Sequence, residues 1–145
     1  MRDKQSFWDA SASVPLCIYQ DSSQRARQIF RKYPDPVVWW ATLAEARSAF
    51  ARAARVESAD ANEHARALRR LHALSNSWRE VDPVNALRER ALQLLDSHPL
   101  RTGDAFQLAA ALAWCNENPR HRVFVCFDDR LATVAEDVGF KVIKA

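Results

Sequence analysis

The sequence predicts an α/β fold in which a parallel sheet is covered by helices on both faces. Three observations carry that expectation. Short β-favouring apolar runs recur, at Val37-Val38-Trp39-Trp40 and from Val123 to Phe127, and their brevity suits buried parallel strands better than helices. Longer Ala-, Leu- and Arg-rich stretches with helical periodicity stand between such runs. Strand and helix therefore alternate, and alternating elements join parallel strands through right-handed crossovers.

Taken in order, Gln5-Ser6-Phe7-Trp8-Asp9 reads as a short strand ending in a polar residue, with Ser11 and Ser13 as candidate helix caps after it. A helix from about Ser22 to Tyr33 precedes the Val37–Trp40 strand, which lies between Pro36 and Thr42. Thr42 to Val56 is strongly helical. Asp60, with Glu63 three residues on, opens another helix in a capping-box pattern, and Leu68, Leu71 and Leu74 give it an apolar stripe until about Trp78. Glu80-Val81 form a weak strand. Asp82-Pro83 combine a cap with a proline at the first helical position, starting a helix to about Ser97. Thr102 caps the next helix, whose Ala-Leu-rich body continues to about Glu117. The Val123–Phe127 strand ends in Asp128-Asp129, a final helix runs to Val138, Gly139 stops it, and Phe140 to Ile143 supply the last strand.

At 145 residues the chain suits one domain, residues 1–145, with a core that needs neither disulfides nor a structural metal. Its 48% hydrophobic and 27% charged residues, two glycines and six prolines describe a globular chain with little room for linkers. Cys17, Cys115 and Cys126 are odd in number and set in apolar segments, which argues against a disulfide framework or zinc site and suits a reducing cytoplasm. Arg2, Asp3 and Lys4 lead into the first strand without the apolar stretch and cleavage site of a signal peptide. No run reaches membrane-spanning length, so a cytoplasmic protein with no membrane partner is expected. The net charge is +3 with a pI near 9.0, a balance that favours a polyanionic partner.

Asp9, Glu45, Asp104 and Asp128 stand where strands turn into helices or within a helix's first turn. Carboxylates at equivalent element ends can converge at one edge of a parallel sheet and hold a hard divalent cation through oxygen. Each also has a structural reading. Thr42-Leu43-Ala44-Glu45 satisfies the capping-box pattern by itself. Asp104 and Asp129 lie near helix starts, where the macrodipole favours negative charge, and Asp128 can be an N-cap. Asp9, after a Phe-Trp pair at a strand end, has the position of a site residue in an open α/β sheet. Their joint placement, more than any one of them, points to metal-assisted phosphate chemistry.

Four stretches carry a resemblance: Phe7-Trp8-Asp9-Ala10-Ser11-Ala12; Ala44-Glu45; Pro99-Leu100-Arg101-Thr102-Gly103-Asp104-Ala105-Phe106-Gln107-Leu108-Ala109; and Phe124-Val125-Cys126-Phe127-Asp128-Asp129-Arg130-Leu131-Ala132. Over nearly its whole length the chain resembles the PIN-domain nucleases, specifically the VapC-type toxins of bacterial toxin–antitoxin pairs. The resemblance implies a three-layer α/β/α sandwich with a central four- to five-stranded parallel sheet, its first and fourth strands adjacent. It implies Asp9, Glu45, Asp104 and Asp128 as catalytic and metal-binding acids, with Mg²⁺ or Mn²⁺ as cofactor. RNA as substrate, a homodimer and a cognate antitoxin protein follow from the same likeness. Ser11 matches the small hydroxyl residue that usually follows the first Asp by two, orienting a carboxylate or binding phosphate. Arg101, one turn before Asp104, is placed to approach a phosphate or pair with a site acid. Ala10 and Trp39-Trp40 depart from the family pattern toward a bulkier pocket wall, and Asp129 is the alternative to Asp128 as fourth acid.

Arg47, Arg52 and Arg55 on the helix carrying Glu45, and Arg66, Arg69 and Arg70 on the next, form either a basic rim for an RNA backbone or ordinary solvated faces. His64, His72, His98 and His121 show no zinc-ligand spacing. Trp8, Trp39, Trp40, Trp78 and Trp114 suit core or interface positions better than base stacking. The expected activity is that of a metal-dependent endoribonuclease hydrolysing phosphodiester bonds. The alternative is a non-catalytic PIN-like module that binds RNA or protein, its acids serving as caps. A phosphatase or phosphotransfer domain ranks last, because the chain has neither an Asp-x-Asp pair nor a Gly-rich phosphate loop.

Overall fold

The computed structural model describes residues 4–56 and 58–145. Arg2 and Asp3, whose charge enters the reading of the N-terminus, lie outside the described residues. Five strands form one sheet: β1 (Gln5–Trp8), β2 (Asp35–Trp39), β3 (Arg79–Val81), β4 (Val123–Val125) and β5 (Lys141–Ile143). All four pairings are parallel and the spatial order is β3-β2-β1-β4-β5. The helices are α1 (Ala10–Ser13), α2 (Ser23–Lys32), α3 (Thr42–Ala54), α4 (Ala61–Ser77), α5 (Asn85–Ser97), α6 (Thr102–Trp114) and α7 (Asp129–Val138), with a 3-10 turn at Val14–Leu16.

Alternation along the strands divides the core into two layers, as the period-two geometry of a strand requires. Phe7, Val37 and Phe124 face one side, where they pack with Leu87, Ala91 and Leu94 of α5, the apolar body of α6, and Leu131 and Val134 of α7. Trp8, Val38, Val123 and Val125 face the other, against Ile29 of α2, Phe50 of α3 and Leu71 of α4. The result is an α/β/α sandwich. Phe7 stacks on Phe124 across the β1–β4 pair, ring centroids 5.4 Å apart, so the central seam of the sheet is also its most aromatic.

Local chemistry explains most boundaries. Pro36 sits inside β2, but β3 joins only from Val37 onward, so its missing N–H faces no second strand. Helix α6 buries residues around most of its circumference, which identifies it as the central helix of its layer. It ends at Trp114, earlier than Glu117, because Asn116 and Glu117 turn to positive φ (52° and 61°). Helix α7 stops at Gly139, whose φ of 117° a side chain disfavours. Asp82-Pro83 do not start α5. The helix begins at Asn85 with Val84 in the cap position and no side-chain cap.

Cys17, Cys115 and Cys126 are free and buried. Among the described residues no helix is long and apolar enough to cross a membrane.

Candidate metal centre at the switch point of the sheet

Strands run outward from β1 in one direction through β2 and β3, and from β4 in the other through β5. The seam between β1 and β4 is therefore the topological switch point, where crossovers leave in opposite directions and open a crevice at the strands' carboxyl ends. Asp9 lies at that seam. Its N–H donates to the Val125 carbonyl at 3.0 Å, and its carboxylate caps α1 by accepting the Ser11 N–H at 3.1 Å. Ser11 is therefore not a cap but stands inside α1, and Ser13, the last residue of α1, holds the cap position of the 3-10 turn without a side-chain cap bond. The Ser11 hydroxyl instead donates to Asp9 Oδ2 at 2.5 Å and accepts the Phe127 N–H at 2.9 Å. One side chain thus ties the ends of β1 and β4 together and fixes the first acid.

Glu45 reaches the same edge from α3. The capping-box reading of Thr42 and Glu45 is overturned: Ala41 holds the cap position without a side-chain bond, and Thr42 is already helical and fully buried. Backbone at Ala41 is in the right-handed helical region (φ −80°, ψ −2°), so no extended residue is present to serve as a cap. Thr42 Oγ1 accepts from the Gln107 amide at 3.1 Å, and Glu45 Oε1 accepts from the same nitrogen at 2.8 Å. Glu45 Oε2 turns toward α6, where a Cβ on Gly103 would stand 4.0 Å from it.

Asp104 lies in the first turn of α6, and Thr102 does not cap that helix; Arg101 holds the cap position with no side-chain bond. Asp128 does cap α7, accepting the Leu131 N–H at 3.0 Å.

Electrostatic coupling joins the acids into one unit. Burial pushes Asp9 up to about 6; the Ser11 hydrogen bonds oppose that rise, and the charges of Asp104 and Asp128 add to it. Glu45 is pushed up to about 7 by burial and then by Asp9, with Gln107 opposing and Asp104 adding. Asp104 is raised by burial and by Asp128, while Arg101 and Arg130 draw it back. Asp128, rather than Asp129, is thus the neighbour whose charge both Asp9 and Asp104 feel.

The donor set is all oxygen, which fits a hard divalent cation. Asp9 Oδ2, Glu45 Oε1 and Asp128 Oδ1 are each held by the protein, leaving the second oxygen of each carboxylate for a ligand. Among the described residues, however, no three potential ligands converge on one point closely enough to form a closed cage. The acids share an edge and a field.

Two clefts flank the cluster. One, of about 330 Å³, is lined by Ser11, Gln20, Glu45 and Arg52 among others. The second, of about 290 Å³, is lined by Arg101, Asp104, Asp128, Asp129 and Arg130. Arg101 and Arg130 bring positive charge to the second cleft. Of the six arginines on α3 and α4, Arg66 pairs with Asp60 and Glu63, and Arg70 with Glu63 and the Cys17 carbonyl.

Gln107, Thr42, Cys126 and Arg130 are the parts of the site the sequence reading gave no site role. Gln107 had a signal: it is the one polar residue from Ala105 to Leu112, three positions after Asp104. Cys126, whose thiol points at Asp9 Oδ2 from 3.7 Å, had none, since it sits in an apolar run. Trp39 stacks on Phe106 with centroids 5.6 Å apart and belongs to the core, whereas its neighbour Trp40 is 52% exposed.

The whole architecture is similar to that in the crystal structure of PAE2754 from Pyrobaculum aerophilum. The TM-score is 0.66 at 20% sequence identity, over 99% of this chain and 90% of that one. At that identity the likeness concerns the fold alone. No family model and no curated protein matches the chain.

Proposed function

We propose that the protein is a Mg²⁺- or Mn²⁺-dependent endoribonuclease of the PIN-domain, VapC-like kind, the toxin of a toxin–antitoxin pair, which hydrolyses phosphodiester bonds in cellular RNA. The observation that carries this reading is the placement of four acids from four separate segments along one edge of a parallel sheet, near enough for their charges to act on one another. Structural caps do not need such coupling. Glu45 caps nothing and turns to Gln107 instead, which weighs against the binding-module alternative.

In this reading Asp9, Glu45, Asp104 and Asp128 hold the ion. A bound divalent ion supplies charge neutralisation and an activated water for in-line attack on phosphorus. Ser11 keeps Asp9 oriented from the Phe127 backbone. Arg101 engages a substrate phosphate, and the net positive surface steers the polyanion in. A homodimer and a cognate antitoxin are proposed on the resemblance to VapC-type toxins, and a cytoplasmic setting on the three buried free thiols.

The test is incubation of the purified protein with end-labelled total RNA in Mg²⁺, Mn²⁺ or EDTA, beside Asp9→Asn and Asp104→Asn. Discrete metal-dependent fragments that both variants fail to produce are expected. Equal cleavage by Asp104→Asn would sink the assignment, and intact RNA binding without cleavage would move the function to a binding module.

A further inference from the structure

We propose that Gln107 is the positioning residue of the acidic cluster, its side-chain amide fixing the Glu45 carboxylate so that one oxygen is engaged and the other is presented to a divalent ion. The inference rests on the metal-centre reading above and goes beyond it by assigning a residue that touches neither ion nor substrate.

Gln107 is 1% exposed, in the middle of a helix that otherwise buries alanine and leucine. An amide there brings no packing advantage over leucine and must be compensated by hydrogen bonds. Its nitrogen has two hydrogens, and both acceptors lie on α3: Thr42 Oγ1 at 3.1 Å and Glu45 Oε1 at 2.8 Å. Its own oxygen is buried without a partner among the described residues. A flipped amide would set that carbonyl oxygen against the Glu45 carboxylate, so the acceptors on α3 dictate the orientation observed.

Glu45 needs such a hold. Asp9 and Asp104 both repel its carboxylate, and a free glutamate side chain has rotamers that would carry it away from them. The Gln107 bond opposes that drift by one oxygen and leaves Oε2 facing the first turn of α6. Outer partners of this kind orient ligating carboxylates and are worth roughly 10- to 100-fold in metal affinity. The rival role for Gln107 is to fasten α6 to α3 through Thr42, which would alter stability without touching the ion.

Mn²⁺ binding, followed by the electron paramagnetic resonance signal of the free ion, separates the two. Gln107→Met keeps the length and removes the donor, and it should weaken Mn²⁺ binding by roughly 10- to 100-fold. In a Glu45→Gln background the same change should add little, since the two substitutions act on one contact. Wild-type Mn²⁺ affinity in a folded Gln107→Met protein overturns the proposal, as does a full-sized loss that persists without the Glu45 carboxylate. Should Gln107→Met not fold, Gln107→Asn carries the test, because its shorter amide cannot reach Glu45; undiminished affinity there overturns the proposal equally. Failure of the wild-type protein itself to bind Mn²⁺ overturns the metal centre and the positioning role together, an outcome distinct from binding that Gln107→Met retains.

Discussion

Asp9 is the most deeply set acid among the described residues, at 5% exposure, and it governs how the site responds to pH. An acid whose folded-state pKa is raised releases its proton less readily folded than unfolded. Stability from this source is therefore greatest below about pH 4 and declines as pH rises. For Asp9, moved from 3.8 to about 6, the loss at neutral pH is ~3 kcal/mol. Glu45, pushed up to about 7, extends the decline further. Thermal melts of the metal-free protein should fall between about pH 4 and pH 7, and Asp9→Asn should flatten that slope; a slope unchanged in the variant would show that other groups dominate. Ser11→Ala leaves the Phe127 N–H without its acceptor and Asp9 with only the backbone bond from residue 11. Chemical denaturation should show roughly 1–3 kcal/mol of lost stability. Asp104→Asn should do the opposite in EDTA, leaving the protein folded and no less stable, because it removes charge from a crowded edge.

Helix starts show why a cap motif in the sequence is not yet a cap. At Asp60 the backbone is extended (ψ 116°) and the side chain accepts the Asn62 N–H at 2.9 Å, so the cap forms, but Glu63 turns to Arg66 and Arg70 and leaves the box half made. At Ala41 the backbone is already helical, Thr42 is drawn inside α3, and its hydroxyl turns to Gln107 instead. The residues that make a capping box are legible in both places. Which residue leaves the helical region depends on how the preceding strand meets the helix, and that is tertiary. The end of α7 is the converse case, since Gly139 alone supplies the turn. Gly139→Ala would force a side chain to φ 117° and set its Cβ 3.1 Å from Pro119 Cγ. A cost of roughly 1–2 kcal/mol is expected from the left-handed backbone alone, read as a lower denaturation midpoint with an unchanged slope. A midpoint equal to wild type would mean that the backbone relaxes out of that conformation.

For the molecule as a whole, four carboxylates at one edge make folding and ion binding linked equilibria. An ion that binds only the folded chain at a hundredfold excess over its Kd stabilises it by about 2.7 kcal/mol, equivalent to roughly 5–10 °C in Tm for a domain of this size. Mg²⁺ or Mn²⁺ should produce such a rise near pH 7.5, and Asp9→Asn should abolish most of it. An equal rise in the variant would mean that the ion binds elsewhere.

The sequence by itself determined the strands at Phe7-Trp8, Val37-Val38 and Val123 to Val125, the alternation with helices, and the identity of the acids at the element ends. These are local properties, since apolar runs, helical periodicity and a terminal Asp or Glu are all read within a few residues. Only the tertiary structure decided that Thr42 is drawn inside α3 instead of capping it, that the Ser11 hydroxyl ties the end of β4 to Asp9, and that Gln107 reaches Glu45 across 62 positions of chain. Long-range pairing is set by which faces bury together in two layers. A carboxylate acquires its partners, its burial and its shifted proton affinity only once those layers close.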